Sequence, residues 1–102
     1  MRVWLDGLRP APEGWTHART QGEAITLLEG GGVTDISLDH DLGEPESEVG
    51  SGYGVACWIE ERAAVGELAP MAWAIHSANP VGRERMRAAL ESAAHFWESR
   101  TP

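Results

Sequence analysis

The chain has 102 residues, 42% of them hydrophobic and 24% charged, and a formal net charge of −8. A chain of that length forms one small domain, here residues 1–102, with room for a single core. Its acidic balance repels duplex DNA. No apolar run approaches the roughly 20 residues that span a bilayer, and the N-terminus lacks a signal-peptide pattern, so the expectation is a cytoplasmic protein with no membrane partner. Every lysine-or-arginine position is arginine, which removes Schiff-base chemistry. Cys57 is the only cysteine and reads as a small buried hydrophobe.

Val3-Trp4-Leu5 predicts a short strand closed by Asp6-Gly7. Pro10, Pro12 and Gly14 make Leu8 to Gly14 a loop. Trp15 to Arg19 predicts a second short strand at a sheet edge. Thr20 and Glu23 have capping-box spacing, so a helix starts there. Ala24, Leu27 and Leu28 give it an apolar face, and Gly30-Gly31-Gly32 stops it. Ile36 and Leu38 lie in a third strand that runs into Asp39-His40-Asp41. Gly43 to Gly54 carries Glu44, Glu46 and Glu48 among glycines and reads as a mobile, solvated loop, or as a lid over the site. Val55, Trp58, Ile59 and Arg62 fall at helical spacing through about Val65. Met71 to Ile75 is a fourth strand. Asn79 caps a last helix with Pro80 just inside it, and Met86, Leu90, Ala93 and Trp97 repeat on its core face. The five tryptophans are scattered and read as core and loop anchors rather than a stacking platform. Strands separated by helices should be parallel, with right-handed crossovers.

The strand ends carry the polar chemistry. In an open parallel sheet the carboxyl ends of neighbouring strands converge on one crevice. Here those ends bear Asp6, then Asp39-His40-Asp41, then His76-Ser77-Ala78-Asn79. Neighbouring carboxylates bind a divalent cation or force one another's pKa apart, so Asp6, Asp39 and Asp41 suit a Mg²⁺-type oxygen site. The plain alternative is that the aspartates cap loops and turns. His40 and His76, at adjacent strand ends, suit a general acid and general base, because imidazole titrates near working pH. One takes a proton from water or a 2′-hydroxyl, and the other protonates the leaving oxygen. A five-membered cyclic phosphate fits such a pair, since its strained ring needs acid–base help and no cofactor. Ser77 and Asn79 can donate to phosphoryl oxygens, aided by the N-terminus of the last helix. Arg9 and Arg83 can clamp phosphate. Asn79 is equally readable as a plain helix cap. His17 and His95 lack polar company and read as structural.

Val3-Trp4-Leu5-Asp6, Leu38-Asp39-His40-Asp41-Leu42-Gly43, Gly52-Tyr53 and His76-Ser77-Ala78-Asn79-Pro80 together resemble the cyclic-phosphate processing receiver family. That family is a shortened relative of response-regulator receiver domains, and the resemblance covers nearly the whole chain. It places Asp39 at the receiver's phosphoacceptor position, Gly52 near the following loop glycine, Ser77-Ala78 near the Thr-Ala switch pair and Asp6 at one acid of the metal-binding pair. The proline-rich loop stands in for the first receiver helix. The fifth strand and the lysine after it have no counterpart, and Gly7 stands where a second acid is common.

Strand pattern and resemblance together predict an α/β three-layer sandwich, receiver- or flavodoxin-like and truncated. Its short parallel sheet has about four strands in the order 2-1-3-4. The crevice should lie between strands 1 and 3 and extend to strand 4. The expected activity is a phosphoesterase acting on 2′,3′-cyclic phosphate ends of RNA or nucleotides. His40 and His76 would be acid and base, and Asp39 and Asp6 would orient a histidine or hold a cation. The rival is a degenerate receiver that binds a phosphorylated ligand or a protein without turnover; a metal-dependent phosphatase is the third option. A monomer or a weak homodimer through the sheet edges is expected.

Overall fold

The computed structural model of the chain describes residues 1–100. Strands β1 (Arg2–Leu5) and β2 (Thr16–Ala18) precede helix α1 (Gln21–Glu29). Strand β3 (Asp35–Leu38), helices α2 (Glu46–Val49) and α3 (Gly52–Ala64), strand β4 (Ala72–Ile75) and helix α4 (Pro80–Ser99) follow. The four strands form one sheet in the order β2-β1-β3-β4, and every neighbouring pair is parallel.

The caps form where the sequence places them. The Thr20 side chain accepts from the Glu23 backbone N–H at 3.1 Å, opening α1. Asn79 accepts from the Gly82 N–H at 3.0 Å with Pro80 as the first helical residue, opening α4. Each satisfies a donor that the helix cannot pair internally.

All three long helices lie on one side of the sheet. The crossovers β2→β3 and β3→β4 step in the same direction, so right-handedness puts α1 and α3 on the same face; α4 then packs along α3. That face holds the core: Val3, Leu5, Ile36 and Leu38 from the strands, Val55 and Ile59 from α3, and Met86, Leu90, Ala93 and Trp97 from α4 are all buried. The opposite face is thin. Its layer is the proline-rich β1–β2 connection rather than a helix, and Arg2, Ala72 and Ala74 are exposed there. No helix among the described residues is long and apolar enough to cross a membrane.

Three local expectations change. The stretch from Gly43 to Gly54 is not loop throughout. It contains the turn of α2, and α3 already starts at Gly52, capped by Ser51, whose Oγ accepts from the Gly54 N–H at 3.1 Å. Glycine-rich composition hid that start. Gly52 is needed there because a Cβ would collide with the Asp39 carbonyl oxygen and crowd Met86. Cys57 is half-buried rather than enclosed. Trp4 and Trp15 do cluster, edge to face at 5.8 Å.

Candidate active site

Register explains why distant residues meet. Trp4 pairs with Ser37, and Ser37 with Ala74. Side chains alternate along a strand, so the next residues on that same face are Asp6, Asp39 and His76. The ladder carries on into them: the Asp6 N–H donates to Ala18 O, Asp39 N–H to Leu5 O and His76 N–H to Leu38 O, each at 3.0 Å. Three side chains from three strands are thereby set side by side on the thin face. Asp6, Asp39 and His76 offer ligand atoms that all lie within 4.8 Å of one another.

Asp6 is the most constrained of them, with its side chain 1% exposed. Its Oδ1 accepts the backbone N–H groups of Leu8 at 2.9 Å and Arg9 at 2.8 Å. Its Oδ2 accepts Arg9 Nε–H at 3.0 Å. The Arg9 Nη2 group reaches on to Asp39 Oδ2 at 3.4 Å. Burial works to raise the Asp6 pKa, but the Arg9 and Leu8 N–H groups and the Arg9 charge outweigh it and hold the carboxyl below its ordinary value. His17 joins from β2, with Nε2 2.7 Å from the Asp6 carbonyl oxygen; the carbonyl can only accept, so Nε2–H donates. His17 therefore has polar company that its sequence neighbourhood does not reveal.

His76 is held from three sides. Nδ1 is 2.7 Å from Ser37 Oγ. The ring stacks on Trp4, centroids 3.8 Å apart and planes 10° from parallel. Nε2 is buried and lies 3.4 Å from Asp6 Oδ2, near enough for charge pairing but without a formed hydrogen bond. Ser37, His76 and Asp6 have the connectivity of a hydrolytic triad. Ser37 is only 3% exposed, however, so its hydroxyl steadies the ring and is not presented to a substrate. Burial pushes the His76 pKa below its ordinary 6.5, overriding the pull of Asp39 and Asp6.

The sign for stability follows by linkage. Below about pH 6.5 the unfolded chain takes up a proton at His76 that the folded chain refuses until lower pH. The His76 contribution to stability is therefore complete above that value and is lost as pH falls through the folded pKa. A ¹H–¹⁵N imidazole titration is expected to place the His76 midpoint below 6.5; a midpoint above it contradicts this account.

His40 leaves β3 on the opposite face. It continues the Ile36, Leu38 alternation towards the helices, and its ring packs so close to Gly82 of α4 that a Cβ there would collide with it. Nδ1 is 2.9 Å from Asp41 Oδ1. A carboxylate only accepts, so Nδ1 carries the proton. The hydrogen bond from His40 is the main cause holding the Asp41 carboxyl below its ordinary value. Asp41 Oδ2 also accepts from Asn79 Nδ2 at 3.4 Å. His40 and Asp41 border a cleft of about 170 Å³ completed by Leu42, Gly43, Glu44, Glu46 and Gly50.

The expected metal group of Asp6, Asp39 and Asp41 is thus not the group that assembles. Among the described residues His76 stands with Asp6 and Asp39, and Asp41 is turned to His40 and Asn79. Ser77 is buried, and its Oγ accepts the Asn79 N–H at 3.1 Å; Asn79 Oδ1 serves as the α4 cap. Arg83 is exposed on the first turn of α4, whereas Arg9 is inside the carboxylate group. Ser37, Trp4 and His17 join the site without a sequence motif to mark them. Only alternation offered a signal, since Trp4 and Ser37 sit two residues before Asp6 and Asp39.

A short parallel sheet whose strand ends gather acids and a histidine defines a receiver-like α/β domain. The chain matches the family described as the cyclic-phosphate processing receiver domain over residues 1–92, and it belongs to that family. The family's description associates it with cyclic-phosphate processing. Neither the curated proteins nor the solved structures contain a match to the chain.

Proposed function

We propose that the protein is a phosphoesterase that opens 2′,3′-cyclic phosphates by general acid/base catalysis with His40 and His76. One observation carries this reading. The two histidines leave adjacent strands on opposite faces of the sheet, and each is tethered through Nδ1, to Asp41 and to Ser37. That leaves Nε2 of His40 untethered; Nε2 of His76 lies buried 3.4 Å from Asp6 Oδ2, so the substrate must open that contact before this atom takes a proton. Phosphoryl transfer keeps attacking and leaving oxygens roughly in line, so this reaction requires a cyclic phosphate to sit across the end of β3 and β4, between the two rings.

Their environments support one division of roles. His76, kept neutral by burial, is the base; His40, whose Nδ1–H is held by the Asp41 carboxylate with Nε2 untethered, is the acid. A water oxygen attacks phosphorus and passes its proton to His76 Nε2. The bond from phosphorus to the ring oxygen breaks, and that oxygen takes the proton from His40 Nε2. A phosphate monoester and a hydroxyl result, and solvent exchange restores both rings. Arg9 supplies the positive charge for the phosphoryl oxygens, and Ser77 and Asn79 hold the turn that positions α4. Asp41, Glu44 and Glu46 around the His40 cleft repel a long polyanion, which favours a mononucleotide or a short RNA end.

The rival reading, a receiver-like module that binds without turnover, is favoured by one feature: His76 Nε2 is buried beside Asp6. The test is hydrolysis of 2′,3′-cyclic nucleotides and of RNA ending in 2′,3′-cyclic phosphate, with and without EDTA. Turnover that survives EDTA is the expected result. Turnover lost to EDTA moves the chemistry onto the aspartates. No turnover on any of these substrates from folded protein favours the module.

A further inference from the structure

The receiver resemblance implies a divalent cation held by the acids at the strand ends, and the residues of this crevice do not fit one. The second acid of a metal-binding pair would have to stand at Gly7. A Cβ at Gly7 would collide with the Leu42 carbonyl oxygen and crowd the backbone behind it, so no acidic side chain fits as the chain lies. Asp6 Oδ1 is committed to two backbone N–H groups. The Oδ2 atoms of Asp6 and Asp39 face a guanidinium at 3.0 and 3.4 Å.

We propose that Arg9 is the resident cation of this crevice, seated between Asp6 and Asp39 in place of a divalent metal, so that Arg9 and a metal exclude one another. Two carboxylates brought together by strand register repel unless a positive charge joins them or one is protonated. Arg9 meets that need through local chain geometry. The turn Asp6-Gly7-Leu8-Arg9 closes on Asp6 Oδ1, and the same residue that donates its backbone N–H to Oδ1 donates its side-chain Nε–H to Oδ2. Mg²⁺ needs oxygen ligands at about 2.0–2.1 Å in octahedral array; reaching both Oδ2 atoms would require expelling the guanidinium. Arg9 keeps 59% of its side chain exposed. A guanidinium has five N–H donors, and two carboxylate contacts leave the others for an anion. Arg9 can fill this seat whether or not the protein turns over a cyclic phosphate, and metal binding reads it without an activity assay.

The experiment is Mn²⁺ binding, followed by the loss of free-ion EPR signal and by calorimetry, on wild type, Arg9→Ala and Arg9→Met. Mn²⁺ suits carboxylate ligands. Because the Arg9 side chain is largely exposed, both variants should fold, which circular dichroism checks; Arg9→Met keeps an apolar stem and removes the charge together with the side-chain donors to Asp6 and Asp39. Wild type should show no saturable binding at millimolar ion, and both variants should gain a site at least roughly tenfold tighter, about 1.4 kcal/mol. Adding Asp39→Asn to Arg9→Met should abolish the gained site. Wild-type binding as tight as in the variants, or no gain in either folded variant, overturns the proposal.

Discussion

His40→Ala lowers turnover of a 2′,3′-cyclic nucleotide by about 10²- to 10⁴-fold, the usual worth of a positioned proton donor or acceptor, and leaves the fold intact. His76→Ala falls in the same range. The double variant is little worse than either single, because groups serving one transfer act as a unit. Both rings are tethered: Asp41 fixes the proton on His40 Nδ1, and Ser37 with the Trp4 ring fixes the plane of His76. Steady-state kinetics with circular dichroism on each variant checks this. A folded His40→Ala protein with unchanged kcat/KM would remove His40 from the reaction. The role assignment adds a pH signature. The limb of kcat/KM that reports the base should lie below pH 6.5, as burial of His76 requires. A base limb that survives in His76→Ala would move that role elsewhere.

Gly7→Asp, which writes the commonly acidic position back into the chain, is expected to destabilise the protein rather than create a metal site. The added Cβ meets the Leu42 carbonyl, a backbone group that cannot rotate aside as a side chain would. Relieving the contact must move the crevice turn or the segment after Asp41. Overpacking of this kind costs typically about 1–3 kcal/mol. Urea denaturation should show a lower midpoint with an unchanged slope, and calorimetry should show no gained Mg²⁺ binding. A variant as stable as wild type that binds Mg²⁺ would show that the turn yields easily. It would also mean that the glycine is incidental.

The two expectations differ in how far the sequence alone reaches them. His40 and His76 stand out in the chain because each follows an apolar strand and has polar neighbours. Gly7 is visible only as a departure from a pattern; its cause lies in Leu42, 35 residues away in the chain. Arg9 was one of several arginines that could face phosphate. Its seat between two carboxylates depends on β1 and β3 lying side by side, and nothing local to Arg9 encodes Asp39.

What the sequence determined by itself was whatever acts over a few residues. Short apolar runs set β1, β3 and β4, Thr20 and Asn79 set the starts of α1 and α4 through their side-chain oxygens, and the spacing of Met86, Leu90, Ala93 and Trp97 set the buried face of α4. These follow from backbone preference, capping and periodicity, which need no distant partner. Tertiary structure decided which strand-end side chains share a face. It brought Ser37 and Trp4 to His76, His17 to the Asp6 carbonyl, and Arg9 to both Asp6 and Asp39, while turning His40 and Asp41 towards α4. The physical reason is register. A parallel ladder pairs residues tens of positions apart, and a shift of one residue would send every one of these side chains to the other face.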